Sequence, residues 1–103
     1  MNSLFPGNWS LHMRSDELQL CFNPEFDLHF DNFPEFAAHL TTSLNLKLVQ
    51  QDMAADSYCW VINDADKHLL LNYQEMSQSC WFCVTREDDE AVLLSLANRL
   101  IAK

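Results

Sequence analysis

Apolar and polar residues alternate with period two through much of this chain, and that period is the signature of β-strands. Trp9, Leu11 and Met13 alternate with Ser10 and His12, and Leu18, Leu20 and Phe22 alternate with Gln19 and Cys21. Ser15-Asp16 falls between the two runs and predicts a turn. Asn23-Pro24 marks the next turn. Phe26, Leu28 and Phe30 then alternate with Asp27, His29 and Asp31, which predicts a third strand with one apolar and one polar side.

The period then changes. Phe33, Phe36, Ala37, Leu40 and Leu44 recur at helical spacing, so one face of a helix is apolar. Asp31 or Asn32 is placed to cap it, Pro34 suits its first turn, and Asn45 suits the left-handed residue that ends it. Residues 46–53 predict a strand whose buried side is ambiguous, because Leu46 and Leu48 point opposite to Val49. Residues 57–63 and 67–74 follow as a hairpin across Asp64-Ala65-Asp66, and residues 79–85 close a meander. Pairing Tyr73 with Cys80 gathers Leu69, Leu71, Tyr73, Cys80, Phe82 and Val84 on one face, whereas a one-residue slip scatters them.

The last segment predicts a helix. Val92, Leu93, Leu96, Ala97 and Leu100 form its buried stripe, with Thr85 or a neighbour as cap. Glu87, Asp88, Asp89 and Glu90 complement its positive end, and Arg99 and Lys103 its negative end. Helix-dipole chemistry accounts for this acidic run without a binding role. The expected fold class is α+β: an antiparallel sheet of N-terminal strands plus a C-terminal meander, with two helices packed on one face, in the order β-β-β-α-β-β-β-β-α. The 103 residues are expected to form a single domain, large enough for one core without metals or disulfides.

The meander carries a second apolar set. Leu70, Trp81 and Cys83 face away from the first, with Cys59 and Val61 as their neighbours. An antiparallel sheet with one solvated face alternates cleanly into polar residues, so this face is expected to be covered. Two covers fit the pattern. Either the N-terminal strands fold over it and make it core, or another molecule docks on it, with His68, Asn72 and Thr85 at the rim.

Composition narrows the functions. Fifteen acidic residues against six basic give a net charge of −9, which opposes binding to nucleic acid and to anionic membranes. No apolar run reaches the ~20 residues of a membrane-spanning helix. The first ten residues lack the basic and apolar regions of a secretion signal, so a cytoplasmic location with reduced cysteines is expected, and the sequon Asn8-Trp9-Ser10 carries no meaning there. Gly7 is the only glycine. Left-handed turn positions must fall to Asn, Asp and Ser, and a glycine-rich phosphate cradle is excluded.

Two constellations resemble chemistry. Cys80 and Cys83 form a C-x-x-C, the spacing of half a zinc site or of a redox pair. They lie inside an alternating strand, where residues three apart face opposite ways and stand ~10 Å apart, beyond the ~7 Å reach of a disulfide. No second ligand pair accompanies them, since Cys21 and Cys59 stand alone. Asp27, His29 and Asp31 share one side of the predicted third strand and are the candidates for metal binding or acid–base work, since a carboxylate beside an imidazole fixes its tautomer and raises its basicity. The same pattern also decorates the wet side of a half-buried strand. Asp64, Asp66 and His68 alternate too, at a turn where Asp is expected. His12 and His39 have no companions in sequence.

Three functions fit these features, and no cofactor is required by any motif. The favoured one is a small acidic interaction protein, binding a protein partner or a second copy of itself through Cys59, Val61, Leu70, Trp81 and Cys83. The second is an enzyme or metal-binding protein using Asp27, His29 and Asp31. The third is an acidic mimic that occupies a basic site on another protein.

Overall fold

Strands β1 (Gly7–Arg14) and β2 (Glu17–Pro24) open the chain and are followed by helix α1 (Phe33–Ser43). Strands β3 (Lys47–Met53), β4 (Ser57–Asp64), β5 (Lys67–Gln74) and β6 (Ser79–Cys83) come next, then helix α2 (Glu90–Ile101). The structure is a computed structural model that describes residues 5–64 and 66–101, with the backbone alone at Glu87. Lys103, expected at the negative end of α2, lies outside the described residues. All pairings are antiparallel, in the order β1-β2-β6-β5-β4-β3. The α+β class predicted from the pattern is the class observed, and Tyr73 stands opposite Cys80 as the apolar alternation requires.

The predicted third strand is not formed. Residues 25–32 make turns and irregular backbone between β2 and α1. Phe26, Leu28 and Phe30 still turn toward the core, which is why they alternate. Leu28 is buried, Phe26 packs against Phe22 and Phe36, and Phe30 stacks on Tyr58 at 4.5 Å. No strand lies alongside, so side chains satisfy the backbone instead. Asn32 Oδ1 accepts from the His29 N–H at 2.8 Å, Asn32 Nδ2 donates to Asp27 O at 2.7 Å, and Glu75 Oε1 accepts from the Phe30 N–H at 3.2 Å. Asn32 occupies the N-cap position of α1, but its side chain makes no capping bond, being committed to this loop.

The turns follow from having one glycine. Ser15 and Asp16 both take positive φ in the two-residue β1–β2 turn, the combination that matches the twist of a tight hairpin. Asp66, Gln78 and Asn45 supply the other left-handed positions. At Asn45 the end of α1 forms a Schellman cap: the Leu46 N–H donates to Thr41 O and the Asn45 N–H to Thr42 O, so two terminal carbonyls are satisfied.

Both helices cover the same side of the sheet. The five residues predicted for α1, Phe33, Phe36, Ala37, Leu40 and Leu44, are all buried. Phe33 stacks on Tyr58 and Tyr73 and meets Trp60 edge-on, while Phe36 stacks on Phe22 at 4.9 Å. From α2, Leu93, Leu96 and Ala97 are buried, with Val92 and Leu100 half-buried beside them. A 3-10 turn, Glu87–Asp89, leads into α2. Asp89 is buried there and pairs with Lys67 at 3.7 Å. Arg99 donates to Asp64 Oδ2 at 3.3 Å and to Leu44 O, so it links α2 to the end of β4 and to the C-terminus of α1.

The ambiguous strand proves to be β3, an edge strand with every residue exposed. Its register slips between Leu48, opposite Ile62, and Gln50, opposite Val61. Val49 is the extra residue of a β-bulge. That bulge is why no strict alternation assigns one buried side to residues 46–53.

Candidate functional site

The N-terminal strands extend the sheet sideways. β2 pairs with β6 and β1 pairs with β2, so neither folds over the Trp81 side, and of the two covers considered from sequence the intramolecular one is excluded for β1 and β2. Both helices lie on the opposite side, and no described element lies over this outer face.

Cross-strand register defines the face row by row. One row runs Ser10, Cys21, Trp81, Asn72, Cys59 and Asp52 across all six strands. The next carries His12 and Gln19 on β1 and β2, then Cys83, Leu70, Val61 and Gln50 on β6 to β3. The five residues proposed from sequence, Cys59, Val61, Leu70, Trp81 and Cys83, are therefore brought together. Leu70 sits between Cys83 and Val61, and Asn72 sits between Trp81 and Cys59. Cys59, Val61, Leu70 and Trp81 are half-buried, while Cys83 is buried. Asn72, placed at the rim from sequence, lies at the centre. It is held there by an Nδ2 bond of 3.4 Å to Cys83 Sγ. His68 is exposed on β5, and Thr85 lies beyond the end of β6.

Four members were missed by the sequence reading: Cys21, Gln19, Ser10 and His12. The alternation of β2 already showed that Cys21 faces away from Leu20 and Phe22. What the pattern lacked was the pairing of β2 with β6, a contact between residues far apart in sequence. Toward β1 the face dips into a concavity of about 690 Å³ whose walls include Ser10, His12, Gln19, Gln74 and Ser79, with Cys21 and Trp81 among its lining. Ser10 Oγ and His12 Nε2 share a hydrogen bond of 2.8 Å. Among the described residues no carboxylate is hydrogen-bonded to the His12 ring to orient it, as a hydrolytic triad requires.

The outer face is balanced in charge. Its strand residues carry four formal charges: Lys47 and Asp52 on β3, and Arg14 and Glu17 from the β1–β2 hairpin, which both line the concavity, with the Glu17 carboxylate reaching inward to the Cys83 thiol. These cancel, so the strands of this face contribute nothing to the net −9. The thiols on it are also neutral. Burial pushes the Cys83 thiol up to about 11, with the Glu17 charge adding to it, and burial raises Cys21 and Cys59. A raised thiol pKa removes nucleophilic thiolate at neutral pH, so these cysteines act as small apolar groups.

Cys80 points to the opposite side, against Tyr73 and Phe22, and burial raises its thiol strongly. Cys80 and Cys83 thus face opposite ways as the strand geometry predicts, and all four cysteines are free.

Asp27, His29 and Asp31 do not share a strand face. They lie on the loop between β2 and α1, with Asp27 and Asp31 exposed. His29 Nδ1 accepts from the Asp31 N–H at 3.2 Å, which leaves the proton of the neutral ring on Nε2. Among the described residues no three His, Cys, Asp or Glu side chains gather as a metal site. Asp64 is committed to Arg99, and His39 is exposed on α1 beside the Phe5 ring.

A family model described as "Protein of unknown function (DUF3630)" matches residues 9–101. The chain belongs to the DUF3630 family. No curated protein and no solved structure matches it. The DUF3630 match spans every strand but the first two residues of β1, and so includes all five proposed face residues. No helix among its described residues is long and apolar enough to cross a membrane.

Proposed function

We propose that this chain is a protein-interaction module that binds through the outer face of its sheet. The carrying observation is that Cys59, Val61, Leu70, Trp81 and Cys83 cluster around Asn72, bordered by Ser, Gln, His and balanced charges, on a face that no described element covers. A solvated antiparallel face is ordinarily polar. Trp is enriched at the desolvated centres of interfaces, and a polar rim around an apolar centre is how such surfaces are built. Asn72 and the protonated thiols suit that role, and a partner that covers Cys83 also meets the Glu17 carboxylate bonded to it.

The acidic balance of the chain supports a protein rather than a nucleic acid or an anionic membrane as the partner. The four free cysteines support a reducing compartment, and we assign the cytoplasm.

Photo-crosslinking in the cells that make the protein tests this reading. A benzophenone amino acid at Leu70 is expected to give discrete protein adducts, while the same group at Leu94, 46% exposed on the solvent side of α2, gives none. Absence of any adduct at Leu70 defeats the proposal.

A further inference from the structure

We infer that the occupant of the outer face is a second copy of this chain, packed face to face. The inference rests on the reading of that face as an interaction surface and names its partner. Charge makes the choice. Each copy carries −9, so two copies repel wherever acidic surface meets acidic surface. The outer face is where this repulsion is least: its strand charges, Arg14, Glu17, Lys47 and Asp52, balance. A basic partner would be drawn instead to the carboxylates, and most of those lie off this face, on loops, turns and the start of α2.

Size agrees with the choice. Six strands at ~4.8 Å spacing and four rows of outward residues span about 24 by 20 Å. That plane of about 480 Å² is within a factor of two of the ~800 Å² per partner of a standard interface, and side-chain relief adds to it. Geometry agrees as well. Two antiparallel sheets pack face to face about 10 Å apart, with alternate side chains interdigitating. Two outer faces joined in this way turn each half-covered sheet into one layer of a helix–sheet–sheet–helix stack. The Trp81 centres then lie between the sheets, and the helices stay outside.

Sedimentation equilibrium of the purified chain is the test. The wild type is expected at twice the chain mass, with association tightening as salt rises, because salt screens the repulsion between the acidic copies. Gln50→Glu with Gln74→Glu adds charge at two exposed rim positions without touching the core. It is expected to weaken association at least about tenfold at low salt, with recovery at high salt. Trp81→Glu is expected to give a monomer, its fold checked by circular dichroism, and Leu94→Glu to associate like the wild type. A wild type that stays monomeric at every concentration, or a dimer indifferent to both outer-face variants, overturns the inference. If the purified chain is monomeric yet Leu70 crosslinks to a different protein in cells, the second copy is wrong and the interaction reading stands. If neither occurs, both fall.

Discussion

Glu75 shows how one side chain replaces a missing strand. Its Oε1 accepts from the Phe30 N–H and from the Tyr73 hydroxyl, and the same hydroxyl lies 3.4 Å from Leu28 O. Residues 26–31 are held against the core by this carboxylate where a ladder would otherwise hold them. Glu75→Ala strands the part-buried Phe30 N–H and leaves the Tyr73 hydroxyl with Leu28 O alone, so it should cost about 1–2 kcal/mol, while Tyr73→Phe should cost about 1 kcal/mol. Because both substitutions break the same bond, the double variant should lose less than the sum. Urea denaturation measures all three, and a Glu75→Ala loss under about 0.5 kcal/mol would place it with ordinary surface changes and refute the latch. Gly7 acts by size alone, since no glycine here has positive φ. A Cβ there would overlap the Phe22 ring and approach Asn23 O to 2.7 Å. Phe22 is confined by Trp9 and Phe36, so Gly7→Ala should destabilise by about 1–3 kcal/mol through overpacking. A melting temperature equal to that of the wild type would show that the ring can yield.

At the scale of elements, the sequence pattern was readable wherever burial and hydrogen bonding followed the same period. The meander register is the clearest case, because only Tyr73 opposite Cys80 keeps both strands' apolar residues together. Residues 26–30 misled because any extended segment with one side on a core alternates, whether or not a neighbouring strand exists. The face around Trp81 was legible as a set of residues, but its uncovered state was not. Strand order is decided by the pairing of Leu20, Cys21 and Phe22 with Phe82, Trp81 and Cys80, and no local pattern encodes that. The bulge at Val49 defeated the assignment of β3 for the opposite reason: one inserted residue shifts the period. It also leads to a prediction. Edge strands invite pairing with other chains, and bulges disrupt such pairing. Deleting Val49 leaves Leu48 opposite Ile62 and Gln50 opposite Val61, so the fold should survive with a smoother edge. The deletion variant should melt within a few degrees of the wild type yet aggregate faster on agitation, followed by light scattering. Equal aggregation rates would mean that the bulge does not guard the edge.

For the molecule as a whole, the buried weak acids set the alkaline limit of stability. Burial raises Tyr73 strongly, with the Glu75 hydrogen bond adding to it; burial also raises Cys80 strongly and pushes Cys83 from its ordinary 9.0 up to about 11. All three shifts have one sign: the folded chain holds these protons more tightly than the unfolded chain. Below the ordinary thiol value both states keep the protons, so the stabilisation is fully present. Above it the unfolded chain releases protons that the folded chain retains, and stability must fall as pH rises. For Cys83 the fall runs from about pH 9 to 11; for Tyr73 and Cys80 it continues to higher pH. Cys83→Ala removes one of these groups while keeping a small apolar residue at the centre of the outer face. The urea midpoint of the wild type should therefore be lower at pH 10.5 than at pH 8, and the drop should be smaller in Cys83→Ala. Because the outer face presents Cys83 together with Cys21 and Cys59, ionisation there also charges a face that is otherwise neutral. A wild-type midpoint unchanged to pH 10.5 would show that these thiols are not held neutral by the fold, and the description of Cys83 as a neutral apolar group would go with it.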